Sequence, residues 1–282
     1  MDTGSTEDSC PICAAIGAYV EIEHAQDPGP DDVGEAFPPE AAALQAPNEG
    51  LADYYRYKNE RLLKCPQCGA TYWARTWAPG GSDDVLHTTI HHSLRRLGAL
   101  ETHVELHDAL YQSSQRAQEM GAPYHEAHAA ISAGVKAEMA LLRASAVEIV
   151  AEAVHALERR YRRSEELAEM LNSFRPQHDH TAQVAEARAR DDRAARYHAG
   201  ILAEYVPACA PGAIPETLIQ RMVALLAGDG AEVRRILRDA LLCLARDAQG
   251  GARAARIIVA AALEESGRGA EIEELLAALS GG

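Results

Sequence analysis

Cys65-Pro66-Gln67-Cys68-Gly69 and its earlier counterpart Cys10-Pro11-Ile12-Cys13 decide how the first third of this chain is read. Two residues between cysteines let one tight turn aim both sulfurs at the same point, and zinc prefers four thiolates at tetrahedral corners. Pro66 presets φ for such a turn and Gly69 accepts φ above zero. The first pair departs from the second, with Ala14 where the second has Gly69. A shared Zn2+ site on Cys10, Cys13, Cys65 and Cys68 is the leading expectation, with redox-active or unpaired thiols as the alternative. A secreted disulfide framework fits less well, because no basic region or apolar run precedes Cys10. Cys209 and Cys243 stand far away in apolar helical surroundings and read as ordinary buried thiols.

Working outward, 282 residues accommodate one large or two modest domains, and 47% hydrophobic content supports a real core. No stretch approaches the roughly 18 consecutive apolar residues of a membrane span, so a soluble cytoplasmic protein without membrane contact is expected. The basic residues are nearly all arginine, with lysine at Lys58, Lys64 and Lys136, and alanine is abundant. That bias fits a GC-rich bacterial genome.

A net charge of −15, spread evenly, would argue against nucleic acid. It is not spread evenly. Residues 1–50 contain eleven Asp or Glu and no Lys or Arg, which leaves −4 for the other 232 residues. Within that segment Ala18 to Glu23 alternates weakly and can be a strand. The acidic, proline- and alanine-rich residues from about 25 to 50 then read as a mobile loop that cannot pack a core.

Aromatic density jumps next, since Tyr54, Tyr55, Tyr57, Tyr72, Trp73 and Trp77 are six of the fourteen aromatics in the chain. Residues 53–63 and 70–77 read as two strands flanking the second cysteine pair. The whole of residues 8–80 resembles the zinc ribbon family, in which two cysteine knuckles at the ends of short hairpins grip one metal beside a small antiparallel sheet. The resemblance implies a structural metal, and so small a module has too little core to fold without it.

Beyond Pro79-Gly80-Gly81, where Ser82 or Asp83 offers an N-cap, the pattern reads as helix to the end with no convincing strand. Leu86, Ile90, Leu94, Leu97, Val104 and Tyr111 form one stripe, Ala133 to Leu157 a longer one, and Glu165 to Phe174 a third. Gly228-Asp229-Gly230-Ala231-Glu232-Val233-Arg234-Arg235-Ile236-Leu237 returns 39 residues later as Gly267-Arg268-Gly269-Ala270-Glu271-Ile272-Glu273-Glu274-Leu275-Leu276. A period near forty marks stacked helix pairs. Leu225 and Leu226 through Asp229, Val233, Arg234 and Leu241 resemble the HEAT repeat, with Asp191-Asp192-Arg193 as a fainter copy. The expected architecture is mainly α: a small β zinc-ribbon domain over residues 1–82, then an α-helical HEAT-like solenoid over 83–282, clearest at 185–282. Such solenoids present concave protein-binding faces.

Two further patterns bear on chemistry. His87, His91 and His92, then His103 and His107, then His125 and His128 are spaced to share helix faces, as a second metal or catalytic site would require. Glu105, two residues after His103, points away from the face that His103 and His107 share, which is not the zinc-protease arrangement. No Gly-x-Ser-x-Gly, phosphate-cradling or dinucleotide motif is present. Residues 51–77 are net +3 with interleaved aromatics, so Tyr54, Arg56, Tyr57, Lys58, Trp73 and Arg75 form a candidate binding surface. The plainer alternative is that the rings cover a small sheet while the arginines snorkel. In Arg159 to Arg163, Glu158, Glu165 and Glu166 offer pairing partners along the same helix. The expected function is a zinc-stabilised, non-catalytic module that binds another protein, as adaptor, assembly factor or toxin-neutralising factor. The alternative is a nucleic-acid-associated regulator acting through the basic aromatic face, and a histidine-metal hydrolase stands a distant third.

Overall fold

The computed structural model describes residues 10–24, 37–55, 58–77, 90–173, 181–227, 231–246 and 253. Residues 1–142 form one compact unit and residues 143–282 another.

In the first unit α1 (Pro11–Ile16) leads into β1 (Tyr19–His24), and after a 3-10 turn at Pro39–Ala43 come α2 (Glu49–Tyr55), β2 (Glu60–Lys64), β3 (Thr71–Trp77) and β4 (Ile90–Arg96). The four strands form one antiparallel sheet in the order β1-β4-β3-β2. Tyr72 pairs with Leu63 on one side and Arg96 on the other, and Trp73 pairs with Leu62 and Arg95. Alternation along β3 therefore divides the sheet between two cores. Tyr72, Ala74 and Leu94 face a cluster with Cys10, Cys13, Ile16, Leu44 and Cys65. Leu62 and Trp73 face another with Leu51, Tyr54, Tyr55, Leu106, Ala109, Ile131 and Val135.

The helices of that second core are α2, α3 (Ala99–Met120) and α4 (Ala122–Leu142), with α4 packed on both α2 and α3. Gly121 ends α3 at φ 80°, its N–H donating to the Ala117 carbonyl at 3.1 Å. The Asn48 side chain caps α2, its Oδ1 accepting from the Leu51 N–H at 3.0 Å while Nδ2 donates to the Gly134 carbonyl on α4. Close approach here depends on glycine: a Cβ on Gly50 would lie 2.5 Å from the Ala130 carbonyl oxygen.

The second unit is helical in its described residues, with α5 (Ala146–Ser173), α6 (Thr181–Tyr205), α7 (Glu216–Ala224) and α8 (Ala231–Arg246). Ala146, Ile149, Val150, Ala153, Val154 and Leu157 give α5 a buried stripe at helical spacing. The helix α6 packs on α5 and on α8, burying Ala199, Leu202 and Tyr205. Arg221 of α7 grips Glu158 of α5 with two hydrogen bonds, Nε to Oε1 at 2.8 Å and Nη2 to Oε2 at 2.6 Å. Arg160 reaches Asp191 on α6 at 3.6 Å. Within the basic run at 159–163, Arg160 thus finds its partner on another helix, while Glu158, expected to pair along its own helix, is held by Arg221.

Four sequence expectations are corrected. Residues 90–96 are a strand, not part of a helical stripe, because Ile90 and Leu94 satisfy a period of two as well as of four and the position that completes the alternation is the buried His92, 1% exposed. Residues 53–55 belong to α2, where Leu51, Tyr54 and Tyr55 fall at helical spacing behind the Asn48 cap. The acidic segment is not a loop throughout, since residues 39–43 form a 3-10 turn and Leu44 enters the cysteine cluster. The helix expected over 133–157 is broken by a 3-10 turn at Arg143–Ser145, where nothing in the residue types marks the break. The N-cap at Ser82 or Asp83, Asp229 and the second repeat copy at 267–276 lie outside the described residues. Asp191 sits inside α6, not at its start. Among the described residues, no helix is long and apolar enough to cross a membrane.

Candidate metal centre and aromatic groove

The two cysteine pairs reach the same place by different local structures. Cys65 directly follows β2 and Cys68 lies in the turn before β3: the Gly69 N–H donates to the Cys65 carbonyl at 2.9 Å, the Cys65 N–H to the Ala70 carbonyl at 2.8 Å, and Gly69 takes φ 79°. This is the tight hairpin knuckle that Pro66 and Gly69 imply. Cys10 instead caps α1, and its carbonyl accepts from Ala14 at 2.9 Å, so the chain continues into a helical turn. A helical residue needs no positive φ, which accounts for alanine at position 14. The left-handed residue comes later, at Gly17, φ 77°.

The four sulfurs converge, all within 4.8 Å of one another. Cys10 Sγ lies 3.7 Å from Cys65 Sγ, and Cys13 Sγ 3.3 Å from Cys68 Sγ. A disulfide needs a separation of about 2.05 Å, whereas tetrahedral zinc with Zn–S near 2.3 Å sets sulfurs about 3.8 Å apart. All four are free cysteines, and Cys10, Cys13 and Cys65 are at most 4% exposed. The backbone N–H of Cys13 pulls the Cys10 thiol down to about 7, while burial pushes the Cys13 and Cys68 thiols up. Four cysteines so placed could bind a metal ion, which would offset the burial of their thiolates, and the donor set is compatible with zinc. The buried Tyr72 hydroxyl, on the same core as Cys13, makes no hydrogen bond among the described residues.

The candidate binding residues divide. Tyr54, Lys58, Trp73 and Arg75 line one groove of about 350 Å³, together with Tyr55, Glu60, Trp77, Glu105, Asp108 and Gln112. Arg56 and Tyr57 lie outside the described residues. The rings interlock, with Tyr55 edge-on to Tyr54 at 4.7 Å and to Trp73 at 5.7 Å between centroids. Lys58 Nζ stands 3.8 Å over the Tyr54 ring and donates to the Tyr54 hydroxyl and, at 3.1 Å, to Gln112 Oε1. Arg75 lies over the Trp77 ring at 5.5 Å and pairs with Glu60 at 3.4 Å. Of the three cations in the candidate binding surface, the two described ones, Lys58 and Arg75, are therefore already engaged.

Glu105, Asp108 and Gln112 come from one face of α3, a contribution the sequence reading missed. Their i, i+3, i+7 spacing was the available signal, but nothing local tied α3 to the strands. Burial raises the Glu105 carboxyl, and Asp108 and Glu60 raise it further.

The histidines scatter. His87 is outside the described residues, His91 and His92 point to opposite faces of β4, and His92 Nδ1 meets Thr76 Oγ1 at 3.0 Å. His103 stacks on His107 at 6.3 Å and is driven down to about 4, first by burial. His128 Nδ1 meets Ser113 Oγ at 3.0 Å. Among the described residues, the four cysteines are the group arranged to hold a metal. Cys209 and Cys243 are partly buried, and Cys209 Sγ donates to the Tyr205 carbonyl at 3.3 Å.

No family model, curated protein or solved structure matches this chain.

Proposed function

We propose that this chain is a zinc-stabilised, non-catalytic protein-binding module: a ribbon-like N-terminal unit stapled by Zn2+ on Cys10, Cys13, Cys65 and Cys68, followed by a HEAT-like helical body. The convergence of four sulfurs from two cysteine pairs carries the metal half of this reading. The ion neutralises buried thiolates and cross-links α1 to the β2–β3 turn, leaving no open position for chemistry. Recognition of a partner protein falls to the aromatic groove, a concave surface lined by rings and polar groups together, the residue types that make interaction hot spots. Nucleic acid is the weaker partner, since phosphates would meet Glu60, Glu105 and Asp108 in the same groove.

The test pairs native mass spectrometry with a pull-down from nuclease-treated and untreated lysate, using wild type beside Cys65→Ser/Cys68→Ser. One zinc per wild-type chain, none in the variant, and a single stoichiometric partner recovered with or without nuclease are the expected results. A metal-free wild type would overturn the zinc reading, and nuclease-sensitive recovery of many proteins would move the groove to nucleic acid.

A further inference from the structure

The groove's chemistry names what it takes. We infer that the aromatic groove between α2, the β2–β3 edge and α3 is a socket for an arginine side chain of the partner protein, which would stack on the rings and pair with Glu105 and Asp108. The inference rests on the protein-binding reading above.

Three observations carry it. First, the groove sets the rings of Tyr54, Tyr55, Trp73 and Trp77 beside three carboxylates, with Lys58 over Tyr54 and Trp77 stacked on His91, and aromatic rings beside carboxylates are surroundings that a planar guanidinium fits. Second, the chain already uses this chemistry on its own cations. Arg75 stacks on Trp77 while it pairs with Glu60, and Lys58 stands over Tyr54. Third, the resident cations are committed elsewhere, Lys58 to Tyr54 and Gln112 and Arg75 to Glu60. Glu105, half-buried in the lining, has no hydrogen bond or ion pair among the described residues. A carboxylate so placed is completed by a cation from outside, and guanidinium supplies two parallel donors that ammonium lacks.

The chain offers a built-in reporter, since its two tryptophans, Trp73 and Trp77, both line the groove. Zinc-loaded full-length protein, labelled with 15N at the indoles, is titrated with acetyl-Gly-Arg-Gly-amide and with the same peptide carrying citrulline, the uncharged isostere. Saturable indole shifts with the arginine peptide, at least about tenfold weaker with citrulline, are expected from a charge-assisted pair. Glu105→Gln with Asp108→Asn lowers the arginine response to the citrulline level. Equal responses to the two peptides overturn the inference, and this comparison uses wild type alone, so it holds even where a variant fails to fold. Indole shifts produced by a single-stranded oligonucleotide but not by the arginine peptide also overturn it. If the peptides fail to discriminate while the pull-down still returns one nuclease-resistant protein, the socket falls and the protein-binding reading stands.

Discussion

At the residue scale, the cysteine centre draws on two short pairs, whereas the groove draws on side chains from separate elements. Two Cys-x-x-Cys pairs announce a metal because the spacing is itself the chemistry. Tyr54, Lys58, Trp73 and Arg75 were legible as a patch because they crowd into a short stretch, whereas Glu105 and Asp108 arrive from a helix some fifty residues later and reverse the character of the site. Gly50 offers a sharp test of close packing. Gly50→Ala places a methyl group against the backbone of Ala130, and the fold is expected to lose about 1–3 kcal/mol, read by denaturant unfolding of the zinc-loaded protein. Gly134→Ala would strike the Asn48 side chain and release the α2 cap at comparable cost. Cys65→Ser should do more than either, since structural zinc in small modules contributes on the order of 10 kcal/mol. Near-ultraviolet circular dichroism of the tryptophans would then show the first unit unfolded at room temperature.

At the element scale, the Arg221–Glu158 pair joins α7 to α5 and makes stability depend on pH. Arg221 holds the Glu158 carboxyl below the ordinary carboxylate range, first through its side-chain hydrogen bonds. A carboxyl with a lowered folded value contributes stability that is complete above its ordinary value and is lost as pH falls through the lowered one. Glu158→Gln is therefore expected to destabilise the helical unit by about 1 kcal/mol at neutral pH, with the difference from wild type closing in acid. Unfolding followed at 222 nm across that range would show it, and a gap that persists below the titration would refute the pairing. The apolar period of α5 was legible, but its start at Ala146 and its run past Glu165 were not, because the sequence reads as one helix over 133–157 and another over 165–174. Elements were also obscured where a polar residue occupies a core position, and His92 is the clearest case, because its burial hides the alternation of β4.

At the scale of the whole molecule, the cysteine centre lies within residues 1–142, and none of its ligands comes from the later helices. Chelation of full-length protein with a strong zinc chelator is expected to abolish the tryptophan near-ultraviolet signal while much of the helical signal at 222 nm survives. Collapse of both together would mean that the two units fold as one. The sulfurs that meet at the centre come from positions 55 residues apart. Polymer statistics give that ring a particular tolerance. Loop-closure entropy rises only with the logarithm of ring size, so shortening or lengthening the chain between the knuckles by a fifth changes the cost of closure by about 0.2 kcal/mol. Moving a cysteine by one position within its own pair would disable the clasp. As far as ring closure goes, the loops around β1, α2 and β2 are thus nearly free to drift in length, and the spacing inside the knuckles is not.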